Sequence, residues 1–417
     1  MTGKRQQTLA SVLIAASLIT ASAIAVPGPA SARATPAATS HLRVDGLQNV
    51  VAVSAGADHN LALLTDGTVR AWGYNGDGQC GNGDDRNVSA PVRVVDLDDV
   101  IGVSGGWEHS LALRSDGTAW AWGYNFHAEL GDGTLTDRHT PVQVRDLTGL
   151  VGIAAGEYTS LAVRSDGTVW AWGDNDHGEV GDGSTTTRTT PVRVSRLTDA
   201  VAVSGGRAAS AALLADGTVW TWGWNAYGQL GDGTTIDRHR PVPVVGLTDV
   251  VAIEMGGRHA LALRRDGTVW AWGQNLNGQL GDGTTIDRNQ PVPVLGLDDV
   301  TAVSAGDAHS VALRSDGTGW AWGNNKQGQL GDRTRTERHE PVQVSRLIDF
   351  GLLTAGRAHT IGARTGGQAW AWGGDWYGQL GNGDPHHARR APVRVKRTAD
   401  PPNRDPDRTV EFTWRSG

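Results

Sequence analysis

The string GQLGDGTTIDR occupies Gly228–Arg238 and recurs without a change at Gly278–Arg288, which is 50 residues later. The same period governs most of the chain, since a tryptophan-glycine pair appears seven times between Trp72-Gly73 and Trp372-Gly373. Self-similarity at a period of this length indicates a repeat architecture. The predicted repeats are 51–100, 101–150, 151–200, 201–250, 251–300, 301–350 and 351–396.

Each repeat has the pattern of four short strands. In the second repeat we predict strands at Ile101–Val103 and onward, Ser110–Leu113, Thr118–Trp122 and Pro141–Val144. The pair Asp116-Gly117 separates the second strand from the third, and Asp-Gly between apolar runs is a strong hairpin signal. No helical period is visible in the repeats. We therefore predict an all-β fold, a seven-bladed β-propeller of four-stranded blades, because a closed ring removes the exposed sheet edges.

Paired tryptophans explain how neighbouring blades would pack. Trp120 and Trp122 are two residues apart, so both side chains point to one face of a strand, while Ala121 points to the other. A bulky face can then pack against a small face on the next blade, and each tryptophan buries roughly 150–250 Å². The quoted string would be the connection from the third strand to the fourth. We expect it to be ordered by an Asp232–Arg238 pair and by burial of its leucine.

The N-terminus has the layout of a secretory signal peptide. Leu9–Val26 is an uncharged apolar run, and Ala32–Ala34 provides a site of the A-x-A type. We predict a cleaved signal at 1–34 and a linker at 35–40, so that the mature protein is secreted and has no membrane anchor. An uncleaved anchor is the alternative. Residues 397–417 are predicted to be a disordered tail.

The end of the propeller carries a further expectation. His41–Val44 aligns with Pro91–Val94, a fourth-strand segment, so eight such segments serve seven blades. We predict that this N-terminal strand completes the last blade. Deleting residues 35–46 should then lower the melting temperature by many degrees.

Charge and cysteine content exclude some functions. The formal net charge is −7, so nucleic acid is not an expected partner. The single cysteine, Cys80, permits no internal disulfide and is interpreted as a small buried hydrophobic residue.

The unit GxxHSLAL…DGTVWAWGxNxxGQLGDGTxxxRxxPVxV resembles the repeat of the regulator of chromosome condensation family. The resemblance covers Val51 to about Val395 and implies a seven-bladed propeller. The family founder exchanges guanine nucleotide on a small GTPase, and this activity is a less favoured alternative here because of the export signal and the acidic balance. The export signal makes the chain similar to a secreted bacterial type, whose role is protein binding.

One face of the propeller is the candidate binding surface. The connections between first and second strands, and between third and fourth strands, lie on the same face. The segments that form it are rich in Trp, Tyr and Arg, the residues that most often carry binding energy. Acidic residues gather on the first three repeats and arginines on later ones, which predicts a polarised face for a protein or a glycan. The candidate residues are Trp107, Glu108, Glu157, Tyr158, Arg207, Trp224, Tyr227, Arg258, Arg357, Trp376 and Tyr377.

Catalysis, metal and cofactor binding are not expected. A secreted enzyme acting on glycan or peptide would use carboxylates such as Glu108, Glu157 and Asp174, but their spacing does not indicate a pair. The histidines that share one repeat position lie on different blades, too far apart for a metal shell, so we interpret them as structural. These histidines are His59, His109, His259, His309 and His359.

The fifth repeat departs from the others at Glu254 and Met255, near the predicted axis. We expect Glu254 to form a salt bridge with Arg207 or Arg258 and Met255 to fill a gap. The partner is expected to be an unidentified protein, bound by a monomeric chain.

Overall fold

The computed structural model describes residues 46–396, which form seven four-stranded antiparallel sheets, each with its strands in sequence order. The predicted seven-bladed propeller is confirmed. Each blade is built from one continuous repeat, and the sheets are called blades 1 to 7 in chain order. Over residues 46–396 no helix is long and apolar enough to cross a membrane.

The strands of the first four blades run from the channel outward. Blade 1 contains β1 (Val50–Ala55), β2 (His59–Leu64), β3 (Val69–Gly73) and β4 (Val88–Arg93). Blade 2 contains β5 (Val100–Gly105), β6 (His109–Arg114), β7 (Ala119–Gly123) and β8 (Arg138–Gln143). Blade 3 contains β9 (Leu150–Ala155), β10 (Thr159–Arg164), β11 (Val169–Gly173) and β12 (Arg188–Arg193). Blade 4 contains β13 (Ala200–Gly205), β14 (Ala209–Leu214), β15 (Val219–Gly223) and β16 (Arg238–Pro243).

The remaining three blades repeat this order. Blade 5 contains β17 (Val250–Met255), β18 (His259–Arg264), β19 (Val269–Gly273) and β20 (Arg288–Pro293). Blade 6 contains β21 (Val300–Ala305), β22 (His309–Arg314), β23 (Gly319–Gly323) and β24 (Arg338–Gln343). Blade 7 contains β25 (Phe350–Ala355), β26 (His359–Arg364), β27 (Ala369–Gly373) and β28 (Arg389–Arg394).

All four strand starts in blade 2 differ from the prediction, and β5 and β6 each begin one residue earlier than predicted. The third strand, β7, begins one residue later than predicted because Thr118 belongs to the hairpin turn, where its amide and hydroxyl donate to Asp116 Oδ1 at 3.0 and 2.6 Å. The fourth strand, β8, begins earlier, at Arg138, because a bulge lets this residue pair with Gly123. Neither shift changes which side chains enter the core.

The tryptophans close the seams between blades as predicted. Trp272 of blade 5 is buried in a cluster with Leu230 of blade 4, and its indole N–H donates to the Gln229 carbonyl at 2.9 Å. Gly231 lies directly beneath this indole, with φ +65°, and a Cβ there would lie 2.8 Å from Trp272 Nε1. The second glycine of the GQLG string is therefore required both by backbone angle and by the close approach of the neighbouring blade.

The ring closes with the same contacts that join its other blades. Trp72 of blade 1 donates its indole N–H to the Gln379 carbonyl of blade 7 at 3.0 Å. The Leu47 amide donates to the Val395 carbonyl at 3.1 Å, and both side chains are buried in one cluster with Trp72. Blade 7 has four strands of its own repeat. The predicted strand at His41–Val44, the signal peptide, the linker and the tail lie outside the described residues.

The repeated loop is held by the predicted pair and by an asparagine. Arg238 Nε donates to Asp232 Oδ2 at 2.8 Å, and Leu230 is fully buried. Asn225 organises the rest, because its side-chain oxygen accepts from the Leu230 backbone amide at 2.9 Å and its backbone N–H donates to Asp237 Oδ1 at 2.8 Å. These internal bonds keep a long connection rigid enough to present its outer side chains.

Candidate functional site

The candidate face surrounds one mouth of the central channel. The connections between first and second strands line this mouth, and the longer connections between third and fourth strands lie outside them. The mouth encloses a cavity of about 90 Å³. Its larger side chains are Trp107, Glu157, Arg207, Asp307 and Arg357.

Trp107 reaches across this mouth. Its ring lies under the guanidinium of Arg207 from blade 4, 5.6 Å from the ring centroid, and under that of Arg357 from blade 7 at 5.9 Å. Trp107 itself belongs to blade 2, so this one indole joins three separate blades. Cations at these distances are attracted to the face of the indole.

The charges of the mouth form pairs between adjacent blades. Arg207 Nε lies 2.9 Å from Glu157 Oε2, and an Arg357 nitrogen lies 2.6 Å from Asp58 Oδ2. Burial raises the pKa of Glu157 to about 7 and that of Asp58 to about 6, although the paired arginines act in the opposite direction. Burial also raises the pKa of Asp307. Acidic residues of blades 1 and 3 thus meet arginines of blades 7 and 4 at the two borders between the acidic and the basic parts of the face.

A second cluster lies on blades 4 and 5. The guanidinium of Arg258 is 5.6 Å from the Trp224 ring and 5.4 Å from the Tyr227 ring. The two rings meet edge to face at 5.4 Å. The predicted ion pair between Arg258 or Arg207 and Glu254 is wrong, since Arg207 pairs with Glu157 and Arg258 stacks on these aromatic rings.

A third cluster contains Trp376 and Tyr377 of blade 7. Tyr377 packs on Tyr74 of blade 1 at 5.0 Å, and Arg357 lies over the Trp376 ring at 5.6 Å. Trp376 remains 39% exposed. Arg357 therefore links this cluster to the channel mouth.

The last predicted residues lie on blades 2 and 3. Tyr158 packs against His127 at 4.7 Å and Tyr124 at 6.3 Å. Glu108 is partly buried, and its pKa is raised by burial and by nearby carboxylates. Phe126, outside the predicted set, stands 66% exposed beside Tyr124.

Three residues that contribute to this face were not in the predicted set. Asp58 shares its repeat position with Glu108, and Asp307 shares its position with Glu157, which was the available signal for them. Leu276 is 70% exposed and occupies the same repeat position as Phe126 and Trp376. The eleven predicted residues thus fall into the mouth and three flanking clusters, all on one face.

The buried histidines link neighbouring blades. His259 Nε2 lies 2.9 Å from the Ser310 hydroxyl of blade 6, which in turn donates to the Gln279 carbonyl at 2.8 Å. Burial lowers the pKa of His259 to about 3, so the ring is neutral at neutral pH. Over residues 46–396, no group of three or more His, Cys, Asp or Glu side chains is placed to hold a metal ion.

The far side of the channel is lined mainly by small residues. Met255 is buried at the constriction, where the other blades have alanine or glycine. Glu254 lines a cavity of about 150 Å³ in this part of the channel. Within the described part of the chain, no arginine or lysine forms an ion pair with the Glu254 carboxylate. Burial raises its pKa to about 8.

Comparison with known proteins gives the same picture of the fold. The family model for the RCC1-like domain matches residues 20–297, which is two thirds of the 417-residue chain. Models of the regulator of chromosome condensation (RCC1) repeat match residues 300–329 and 316–362.

Solved structures with similar folds come from human and yeast. The crystal structure of human WBSCR16 is 25% identical with a TM-score of 0.68, covering 76% of this chain and 88% of that one. Yeast RCC1 (Prp20), crystallised bound to Kap60, is 23% identical with a TM-score of 0.70, covering 89% and 92%. The crystal structure of Prp20p from Saccharomyces cerevisiae, described together with its binding properties to Gsp1p and histones, is 24% identical with a TM-score of 0.70. The match covers 85% of this chain and 88% of that one. The chain belongs to the RCC1-like domain family.

Proposed function

We propose that this chain is an exported, non-catalytic scaffold that binds a partner protein through the loop face around the channel mouth. The observation that carries the proposal is Trp107 held across the mouth by Arg207 and Arg357. Aromatic and arginine side chains at the centre of a surface are the usual energetic anchors of protein interfaces.

Exposed apolar side chains around this centre support the same function. Phe126, Leu276 and Trp376 are 66%, 70% and 39% exposed, and all three occupy one position of the loop between third and fourth strands. Large apolar side chains gathered on one surface typically mark an interaction site. Glu157 with Arg207 and Asp58 with Arg357 are already paired at the mouth, so a partner would dock there without leaving these charges isolated.

Similarity to yeast Prp20 supports protein binding as a class. That protein was crystallised with Kap60 and was studied for binding to Gsp1p and histones. A nucleotide exchange activity of the founder type is therefore the second candidate. It is tested by adding the chain to a small GTPase loaded with fluorescent guanine nucleotide, where accelerated release would favour exchange over a passive scaffold.

Alanine at Trp107, Tyr158 and Trp224 should weaken capture of the partner without changing the melting temperature by more than a few degrees. The partner is captured from the culture of the producing cells with immobilised chain. Matched controls are Val245→Ala and Leu295→Ala, which remove exposed apolar groups, 45% and 43% exposed, from the connections at the opposite end of the channel. Capture that survives the three substitutions, or that is lost equally in the controls, would refute the assignment.

Two further measurements distinguish a scaffold from an enzyme and a cleaved signal peptide from a membrane anchor. Turnover of a glycan or peptide that Glu157→Gln abolishes would favour the enzyme reading over the scaffold. Export is tested by sequencing the N-terminus of the chain recovered from the medium, where a start near residue 35 is expected. Chain retained in the membrane fraction with an intact N-terminus would favour the anchor.

A further inference from the structure

A groove rich in arginine lies between blades 6 and 7, outside the channel mouth. Its volume is about 660 Å³. The floor is formed by Leu347, Phe350 and Trp370. Five arginines line it, and these are Arg333, Arg346, Arg364, Arg389 and Arg390. This is an unusual concentration of positive charge for a chain with a net charge of −7.

The seventh repeat departs from the others at its hairpin turn, which lies between the groove residues Arg364 and Trp370. The sequence SDGT, present at Ser315–Thr318, is replaced by TGGQ at Thr365–Gln368. In blade 6 the Thr318 hydroxyl accepts from the Trp320 indole N–H at 3.2 Å. Blade 7 has glutamine in place of that threonine, and the equivalent indole N–H of Trp370 is buried with no partner among residues 46–396.

The same replacement removes a carboxylate. In blade 5 Arg264 lies 3.6 Å from Asp266 of the turn and also 3.6 Å from Asp249. In blade 7 the turn position is Gly366, and Arg364 forms no ion pair within residues 46–396, although its Nε is unpartnered there as that of Arg314 is in blade 6. The guanidinium of Arg364 instead stacks on Trp370, 5.2 Å from the ring centroid.

Further substitutions around the groove add positive charge. Pro392 aligns with Pro341, so the acidic Glu340 of blade 6 corresponds to Ala391 of blade 7. In the preceding repeats the aligned positions are Gly283 for Arg333, Gly296 for Arg346, His339 for Arg390 and Gln343 for Arg394. The Arg394 guanidinium also lies over the Trp370 ring, at 5.3 Å. Among the arginines of this groove only Arg389 forms an ion pair within residues 46–396, with Asp384 at 2.7 Å.

We propose that this groove binds an acidic peptide segment of a partner protein. Guanidinium groups bind carboxylates strongly and in fixed geometry, and several of them here lack a carboxylate partner. The apolar floor would receive a side chain between acidic residues. Trp370, which lines the groove, has a buried indole N–H without a partner within residues 46–396, and such donors are normally satisfied.

A peptide fits these features better than nucleic acid does. Nonspecific nucleic-acid binding uses basic charge that continues along several nucleotides. The arginines here are confined to one groove between two blades of an acidic protein. An extended acidic chain of limited length matches that confinement.

The test measures binding of a fluorescein-labelled peptide of alternating glutamate and leucine to the full chain by fluorescence anisotropy. We expect binding that weakens with added salt and is absent for the same peptide with glutamine in place of glutamate. Arg364→Gln should weaken it about tenfold or more. The matched control is Arg314→Gln in blade 6, where the arginine already contacts Asp298 and Asp299, and binding should be unchanged.

A second variant restores the sequence of the other repeats. Gly366→Asp with Gln368→Thr supplies a carboxylate for Arg364 and a hydroxyl for Trp370, and a Cβ at Gly366 meets no atom within 4 Å. It should weaken peptide binding about tenfold without lowering the melting temperature. A folded double variant that still binds the peptide as tightly as the unaltered chain would overturn the proposal.

Other occupants of the groove give distinct results. A single-stranded oligonucleotide that binds more tightly than the peptide and loses affinity with Arg364→Gln would overturn the choice of peptide. A large gain in peptide affinity on deleting residues 397–417 would assign the groove to the chain's own tail. A dimer detected by light scattering that Arg364→Gln dissociates would assign it to a second copy. None of these outcomes affects the loop face, which is assayed separately.

Discussion

Replacing the buried Glu129 by glutamine should stabilise the protein increasingly as the pH rises. Glu129 is fully buried in blade 2, where Oε2 accepts the His127 amide at 3.0 Å and Oε1 has no partner among residues 46–396. Blade 1 and blades 4 to 7 have glutamine at this position, and Gln229 accepts the Tyr227 amide at 2.9 Å in the same way. Only one oxygen acceptor is used, so a neutral glutamine performs the same role without a charge.

The magnitude follows from the pKa. Burial raises the pKa of Glu129 from 4.5 to about 8, so the folded state holds a proton that the unfolded state has already released. Stability is therefore lost as pH rises from about 4.5 through 8. At 1.36 kcal/mol for each pH unit, the wild type loses about 4 kcal/mol between pH 5 and pH 9 through this group. Glu129→Gln lacks this loss.

Guanidinium unfolding at pH 5, 7 and 9 measures the effect, as the difference in unfolding free energy between variant and wild type. The difference should grow with pH by about 4 kcal/mol. Glu340→Gln, at an exposed position on β24, is the control and should give a difference that does not change with pH. If the difference in unfolding free energy between Glu129→Gln and the wild type stays constant from pH 5 to pH 9, the Glu129 carboxyl has its ordinary pKa in the folded state and the reasoning is refuted.

Three further outcomes are expected. Gly231→Ala should lower the unfolding free energy by roughly 2–4 kcal/mol, because it adds overpacking against the Trp272 indole to the strain of a positive φ. Gly246 has φ +71° and open space around it, so Gly246→Ala should lower the unfolding free energy by only about 1 kcal/mol in the same denaturation assay. Trp272→Phe should destabilise the chain by about 1–3 kcal/mol through the lost indole bond, measured by the melting temperature with the emission spectrum confirming an otherwise native fold. Burial lowers the pKa of His309 to about 3, so the unfolded state binds a proton first as pH falls below 6.5 and the wild type loses stability. Between pH 7.5 and pH 4, the unfolding free energy of His309→Gln should therefore rise by about 3 kcal/mol relative to that of the wild type. A difference in unfolding free energy that does not change with pH would contradict this.

The fold could be predicted from the sequence because its information is local and repeated. The Asp-Gly turns, the paired tryptophans and the 50-residue period each specify the same blade seven times. The ends of strands were less predictable. The start of β7 depends on Thr118 binding to Asp116, and that of β8 depends on a bulge, and neither leaves a signal in the hydrophobic pattern.

The candidate site was predictable only as a set of positions. Repeat alignment placed Trp107, Arg207 and Arg357 on one face, but contact among blades 2, 4 and 7 depends on side chains reaching across a closed ring. The ion pair between Arg207 and Glu157 was not predicted, because it depends on the same three-dimensional arrangement. The misassigned partner of Glu254 has this cause as well, since both candidate arginines had closer partners.

The hydrogen bond between Leu47 and Val395, at 3.1 Å, brings the two limits of the described chain to one point on the wall of the propeller. The first and last strands of the propeller therefore have their free ends side by side. Because every blade is a single uninterrupted segment, the polypeptide has seven equivalent places where it can be opened. A circularly permuted gene that starts at Val100 and joins the old ends through a short glycine linker should encode the same wheel.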